Sequence, residues 1–160
     1  MLTVDLGLLN LEPSHTILDV GSGNGRHSYA VSKIGASVVA TDTDSASLKD
    51  AAGMFRLMHA TKEISDGSQT SCVTGDVTAL PYLDRSFDRI IAAEVIEHVW
   101  RDCVALAELY RVTKPGGILA ITVPSAWPER ICWSLTSKYH DVPGGHVRIY
   151  SKRELAGRIT

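Results

Sequence analysis

The 160-residue chain has no excess of charge: 16 Lys and Arg face 18 Asp and Glu, for a formal net charge of -2. Without a basic run, no nucleic-acid partner and no anionic membrane surface is expected, because both are held by neutralising phosphates. No apolar run approaches the length needed to span a bilayer. The opening MLTVDLGLLNLEP has no basic segment ahead of its leucines, so a secretory signal is not expected. There is no CxxC pair either, and Cys72, Cys103 and Cys132 stand about thirty residues apart. That excludes a zinc ribbon or a thioredoxin-like redox centre and points to buried, reduced thiols in a cytoplasmic protein. What the chain does have is an ordinary globular balance, 44% hydrophobic and 21% charged residues, which excludes a disordered tail or a disulfide-stapled mini-protein. Its length gives room for one domain.

Short β-branched runs alternate with amphipathic stretches. Strands are predicted at 16–20, 37–41, 71–74, 87–93 and 118–123, and helices at 26–34, 45–59 and 102–112. Gly35 is placed to stop the first helix. Pro115-Gly116-Gly117 reads as a turn, and Ser151-Lys152-Arg153-Glu154 as a capping box that opens a last helix. Strand–helix alternation with near-continuous apolar strands implies an α/β fold: a Rossmann-like, doubly wound, mainly parallel sheet. Residues 124–150 differ, being aromatic and turn-forming rather than periodic, as in a loop-rich insertion.

Asp19-Val20-Gly21-Ser22-Gly23-Asn24-Gly25 lies between the first strand and first helix. Glycines there allow a tight turn and close approach of a ligand to the backbone, beside the exposed N–H groups that open a helix. Arg26-His27 after Gly25 excludes a phosphate-binding P-loop, which needs Lys-Ser/Thr. Arg26 also stands where the dinucleotide fingerprint needs its third small residue, which disfavours an NAD-dependent oxidoreductase. Asp42 ends the second strand 17 residues beyond Gly25, near the separation of an acidic residue that binds ribose hydroxyls. A helix N-cap is the alternative role for Asp42, although Asp44 or Ser45 is better placed for it. Asp76, ending the third strand, suits an adenine amino group, with an Asx-turn as the alternative.

Taken together, ILDVGSGNGRHS, VVATDTD, GDVTALPYLDRSFDRIIAAEVIEHV, LAELYRVTKPGGILAITVP and GGHVRIYSKREL resemble the class I S-adenosylmethionine-dependent methyltransferases, in particular the small-molecule group that includes the quinone-biosynthesis C-methyltransferases. The resemblance runs from Ile17 onward and implies one methyltransferase domain over 1–160, with 124–150 as an acceptor-side segment. It implies S-adenosylmethionine as cofactor, S-adenosylhomocysteine as product and a small-molecule methyl acceptor as partner. It also implies that Asp19, Gly21, Ser22, Gly23 and Gly25 form the cofactor loop, with Asp19 toward the methionine ammonium. Asp42 would hold the ribose with Thr43 beside the adenine, Asp76 and Val77 would meet the adenine, and Ala93 and Glu94 would lie near the methionine moiety.

A methyl group on a sulfonium is already activated, so orientation of the acceptor and exclusion of water carry the chemistry. His98 is the candidate base for a protic acceptor, with positioning of its loop as the equal alternative. No metal site is expected: Glu94 stands where an H-x-x-E-H arrangement needs His, and His140 and His146 have no third ligand at recognisable spacing. The segment from Trp127 to Tyr150, with Trp133, Tyr139, His140 and His146, is the expected acceptor-pocket wall, or a small core on the fifth strand. A non-catalytic cofactor-binding remnant is the competing function, because the family's last strand pair is missing. The chain is therefore expected to be a fragment, or to cover its exposed fifth strand by homo-oligomerisation.

Overall fold

The computed structural model describes residues 2–124 and 146–159. Trp127, Trp133, Tyr139 and His140 lie outside them. Five strands, β1 (Thr16–Val20), β2 (Ser37–Asp42), β3 (Thr70–Thr74), β4 (Phe87–Ala93) and β5 (Thr113–Thr122), form one sheet in the order β3-β2-β1-β4-β5. Every pairing is parallel, with Ile17 opposite Val38 on one side and Arg89 on the other. The order reverses between β2-β1 and β1-β4, and parallel sheets open a crevice at their carboxyl edge at such a switch.

Both faces of the sheet are covered. Along β1 and β4, alternate residues join different cores. Leu18, Ile90 and Ala92 pack with Leu106 and Leu109 of α3 (Asp102–Val112). Ile17, Ile91 and Ala93 pack with Val31 of α1 (Arg26–Ser32) and with Val4 and Leu9 of the N-terminal segment. A third core seats Leu48, Phe55 and Met58 of α2 (Ser45–Ala60) against Ala40. Double burial explains why the strands carry continuous rather than alternating apolar residues.

Local chemistry sets the boundaries. Gly35 (φ 99°) stops the chain after α1, and the Asp44 carboxylate accepts from the Ala46 and Ser47 amides to open α2. The 151–154 capping box forms reciprocally: Ser151 N–H donates to Glu154 Oε2 at 2.8 Å and Glu154 N–H to Ser151 Oγ at 3.2 Å, opening α4 (Lys152–Ile159). The expected turn at Pro115-Gly116-Gly117 is instead taken up within β5. Phe87 pairs with Thr113 but Arg89 with Ile118, so the extra residues bulge out of register. A Cβ on Gly117 would meet the Asp88 and Lys114 carbonyl oxygens at 3.0 and 2.8 Å, so only glycine fits the bulge. Two cysteines depart from expectation: Cys72 is half-buried, and Cys103 is exposed because it lies on the solvent side of α3, while Cys132 lies outside the described residues.

Candidate active site

The chain turns sharply at the carboxyl ends of β1, β2 and β4. Gly21, Gly23 and Gly25 all have positive φ (63°, 50° and 80°), so the loop after β1 is closed to β-carbons on conformational grounds. At Gly21 the space is closed as well, because a Cβ would come within 2.3 Å of Val95 Cγ2. The loop is tied to β2 twice: Ser22 N–H donates to the Thr41 carbonyl at 3.1 Å, and Gly23 N–H to Asp42 Oδ2 at 2.7 Å. Asp42 Oδ1 accepts from the Asp44 amide. With Asp44 capping α2, Asp42 is left to hold the two loops together and to face what lies between them.

Between them is a cavity of about 530 Å³, lined among others by Gly21, Asp42, Thr43, Asp76, Val77 and Glu94. Asp76 Oδ1 accepts from the Thr78 amide and hydroxyl, so the Asx-turn forms on the cavity wall. Glu94, just past β4, adopts φ 59°, a left-handed conformation that costs a non-glycine residue about 1–3 kcal/mol. Its amide donates to the Thr122 carbonyl, and its carboxylate accepts from the Thr122 hydroxyl. His98 completes this wall from a single 3-10 turn, Ile96–His98.

The other expected residues support the cavity from outside. Asp19 lies beneath the loop, 1% exposed, its Oδ2 accepting from the Ser28 amide (3.0 Å) and hydroxyl (2.6 Å). Burial pushes its carboxyl up to about 6 against the opposing pull of those two hydrogen bonds. Ser22 is buried, and its Oγ has no hydrogen-bond partner among the described residues. Gly23 and Gly25 shape the loop, and Ala93, the last residue of β4, is packed in the core. Val95, Thr78, Val99, Trp100 and Arg101 also line the cavity and were not anticipated from sequence. Trp100 is 76% exposed, an aromatic surface at the mouth.

The sequence profile described as a methyltransferase domain matches residues 18–121, which hold all of these cavity elements. The chain belongs to the methyltransferase domain family. It is 37% identical over 123 residues to a demethylmenaquinone methyltransferase of Parafrankia sp., an alignment covering 71% of this chain and 48% of that protein. It is 28% identical over 144 residues to a sterol 24-C-methyltransferase of Eremothecium gossypii, covering 89% of this chain and 35% of the relative. The chain thus spans about half, or less, of the length of these curated relatives. A SAM-dependent methyltransferase from Aquifex aeolicus shares its fold with a TM-score of 0.70 at 22% identity, over 96% of this chain and 74% of that one. The doubly wound sheet expected from sequence is thereby the fold of this family. Among the described residues, no helix is long and apolar enough to cross a membrane.

Proposed function

We propose that this domain binds S-adenosylmethionine in the cavity at the carboxyl edge of β1, β2 and β4 and directs its methyl group to a small-molecule acceptor by in-line displacement. The observation that carries the reading is the charge of the wall: three carboxylates, Asp42, Asp76 and Glu94, against one Arg, Arg101. Such a wall suits a ligand bearing a sulfonium, an ammonium and ribose hydroxyls, and opposes the pyrophosphate of a dinucleotide. The glycine cradle fits the same ligand, since a side chain at Gly21 would displace Val95 from the wall.

Asp42 is the residue we assign to the ribose hydroxyls, with two oxygens already oriented by the Gly23 and Asp44 amides. Thr43, Asp76 and Val77 would border the adenine, and Gly21 and Glu94 the methionine end. Asp19 acts at one remove, locking α1 to β1 so that the loop keeps its shape. The sulfonium supplies an already activated methyl group. The domain's part is to bind, to orient the acceptor and to keep water out, and orientation alone is worth about 7–11 kcal/mol. For an acceptor that carries a proton, His98 is the imidazole on the cavity wall. The two curated relatives are named for a demethylmenaquinone and a sterol, which supports a small molecule as the acceptor here.

Titration calorimetry with S-adenosylmethionine, S-adenosylhomocysteine and NADH tests the reading. Saturable binding of the first two is expected, and binding of NADH in their place would overturn it. Mass spectrometry of metabolite extracts incubated with methyl-labelled S-adenosylmethionine would then identify the acceptor.

A further inference from the structure

His146 is separated from Glu97 and His98 by nearly fifty residues, and sequence spacing gives no reason to group them. The fold does. Val147 N–H donates to the Glu97 carbonyl at 2.8 Å, which clips the chain at His146 against the 3-10 turn. Three residues on, Tyr150 is buried and hydrogen-bonded to Asp102 of α3, so this stretch is anchored at both ends. The imidazoles of His98 and His146 meet edge to face, with centroids 4.7 Å apart. Glu97, 1% exposed, brings Oε1 to 4.0 Å from His98 Nε2. One ligating atom from each of Glu97, His98 and His146 lies within 4.8 Å of the others.

We propose that Glu97, His98 and His146 form a binding site for a divalent transition-metal ion, with Zn2+ as the best-suited occupant. Two imidazoles and one carboxylate are the donor set of open zinc sites and also accept Co2+. Neighbouring ligands of a tetrahedral zinc ion stand about 3.4 Å apart, so the set must contract modestly from its present spacing. The exposed His98 and half-buried His146 imidazoles can supply that by rotation, while the sealed carboxylate stays in place. Because His98 also lines the cavity, the ion would stand at its edge. A ligating nitrogen of His98 has its lone pair committed, so occupation would exchange that nitrogen's basicity for Lewis acidity.

The site goes beyond the methyltransferase reading and is tested separately from it. The full chain, stripped with chelator, is titrated with ZnCl2 and with CoCl2, whose visible spectrum reports its ligands. One ion per chain is expected, with ligand-field bands of an imidazole–carboxylate site. His146→Ala and Glu97→Gln should each weaken Zn2+ binding at least about tenfold. S-adenosylmethionine affinity and the circular dichroism spectrum of His146→Ala should match the parent, which separates loss of the site from loss of the fold. The absence of saturable Zn2+ or Co2+ binding would overturn the proposal. So would binding that both variants leave within twofold of the parent, as cysteine thiolates would produce. Failure of the cofactor titration alone would overturn the methyltransferase reading and leave the metal site standing.

Discussion

Asp19, in β1 beneath the glycine loop, and Asp102, at the start of α3, are both nearly sealed from solvent, yet their carboxyls move in opposite directions. Asp19 accepts from the Ser28 amide and hydroxyl, and burial pushes it up to about 6. Asp102 is also raised by burial, but hydrogen bonds from Tyr150 and Arg148 outweigh that and hold it down at about 2. Arg158 of α4 donates to the same Asp102 oxygen. Burial alone therefore does not set the charge of a carboxylate in this domain; the set of hydrogen-bond donors and charges around it decides which way it moves. Asp19 is held by the two donors of Ser28, whereas Asp102 is held by the Tyr150 hydroxyl together with Arg148 and Arg158.

The strongest way to break the comparison acts on the loop. Gly21→Ala forces a left-handed alanine into Val95 and should cost about 3–5 kcal/mol of stability and abolish cofactor binding. Adding Val95→Ala should return part of the stability in urea unfolding. Full recovery of binding would show that the backbone conformation at Gly21 is not restrictive.

Next comes Asp19→Asn. An unfolded aspartate ionises near pH 4 and folded Asp19 only near 6, so the unfolded state binds fewer protons between those values. Stability of the parent should therefore fall as pH rises from about 4 to 6, by a total of about 3 kcal/mol. The Asn variant should lack that slope and be the more stable protein at pH 7. Identical slopes in urea titrations from pH 4 to 7 would remove Asp19 from the comparison.

Asp102→Asn should do the reverse. Its folded carboxyl is depressed, so its contribution is present above about pH 4 and is lost as pH falls toward 2. At pH 7 the variant should lose about 2 kcal/mol, with cofactor affinity unchanged. A gain in stability on this substitution would mean that Arg148 and Arg158 are equally well satisfied by water. The smallest effect is expected for Ser151→Ala, which removes one half of the capping box and should cost about 1 kcal/mol in the same assay.

The loop half of this comparison was legible in the sequence and the clamp half was not. Gly21, Gly23, Gly25 and Asp42 are read from spacing within a single strand–helix–strand unit, where local chain geometry fixes who meets whom. The capping box at Ser151 and Glu154 is local in the same way. The partners of Asp102 lie 46 to 56 residues away, and no periodicity marks them. The same holds for His146 beside His98, where spacing argued against any metal ligand set. Pro115-Gly116-Gly117 has turn chemistry, yet parallel pairing with β4 continues on both sides and absorbs it as a bulge. Asp76 forms the Asx-turn that was its alternative role, and that turn stands on the cavity wall.

Glu94 carries a further consequence. With φ at 59°, its backbone would rest more comfortably as glycine or asparagine, so this position taxes folding for the sake of a carboxylate on the wall. Selection for thermal resilience alone would drift this site toward Gly. Glu94→Gly should accordingly melt higher while binding S-adenosylmethionine less tightly, which makes the end of β4 a point where durability and chemistry compete for one residue.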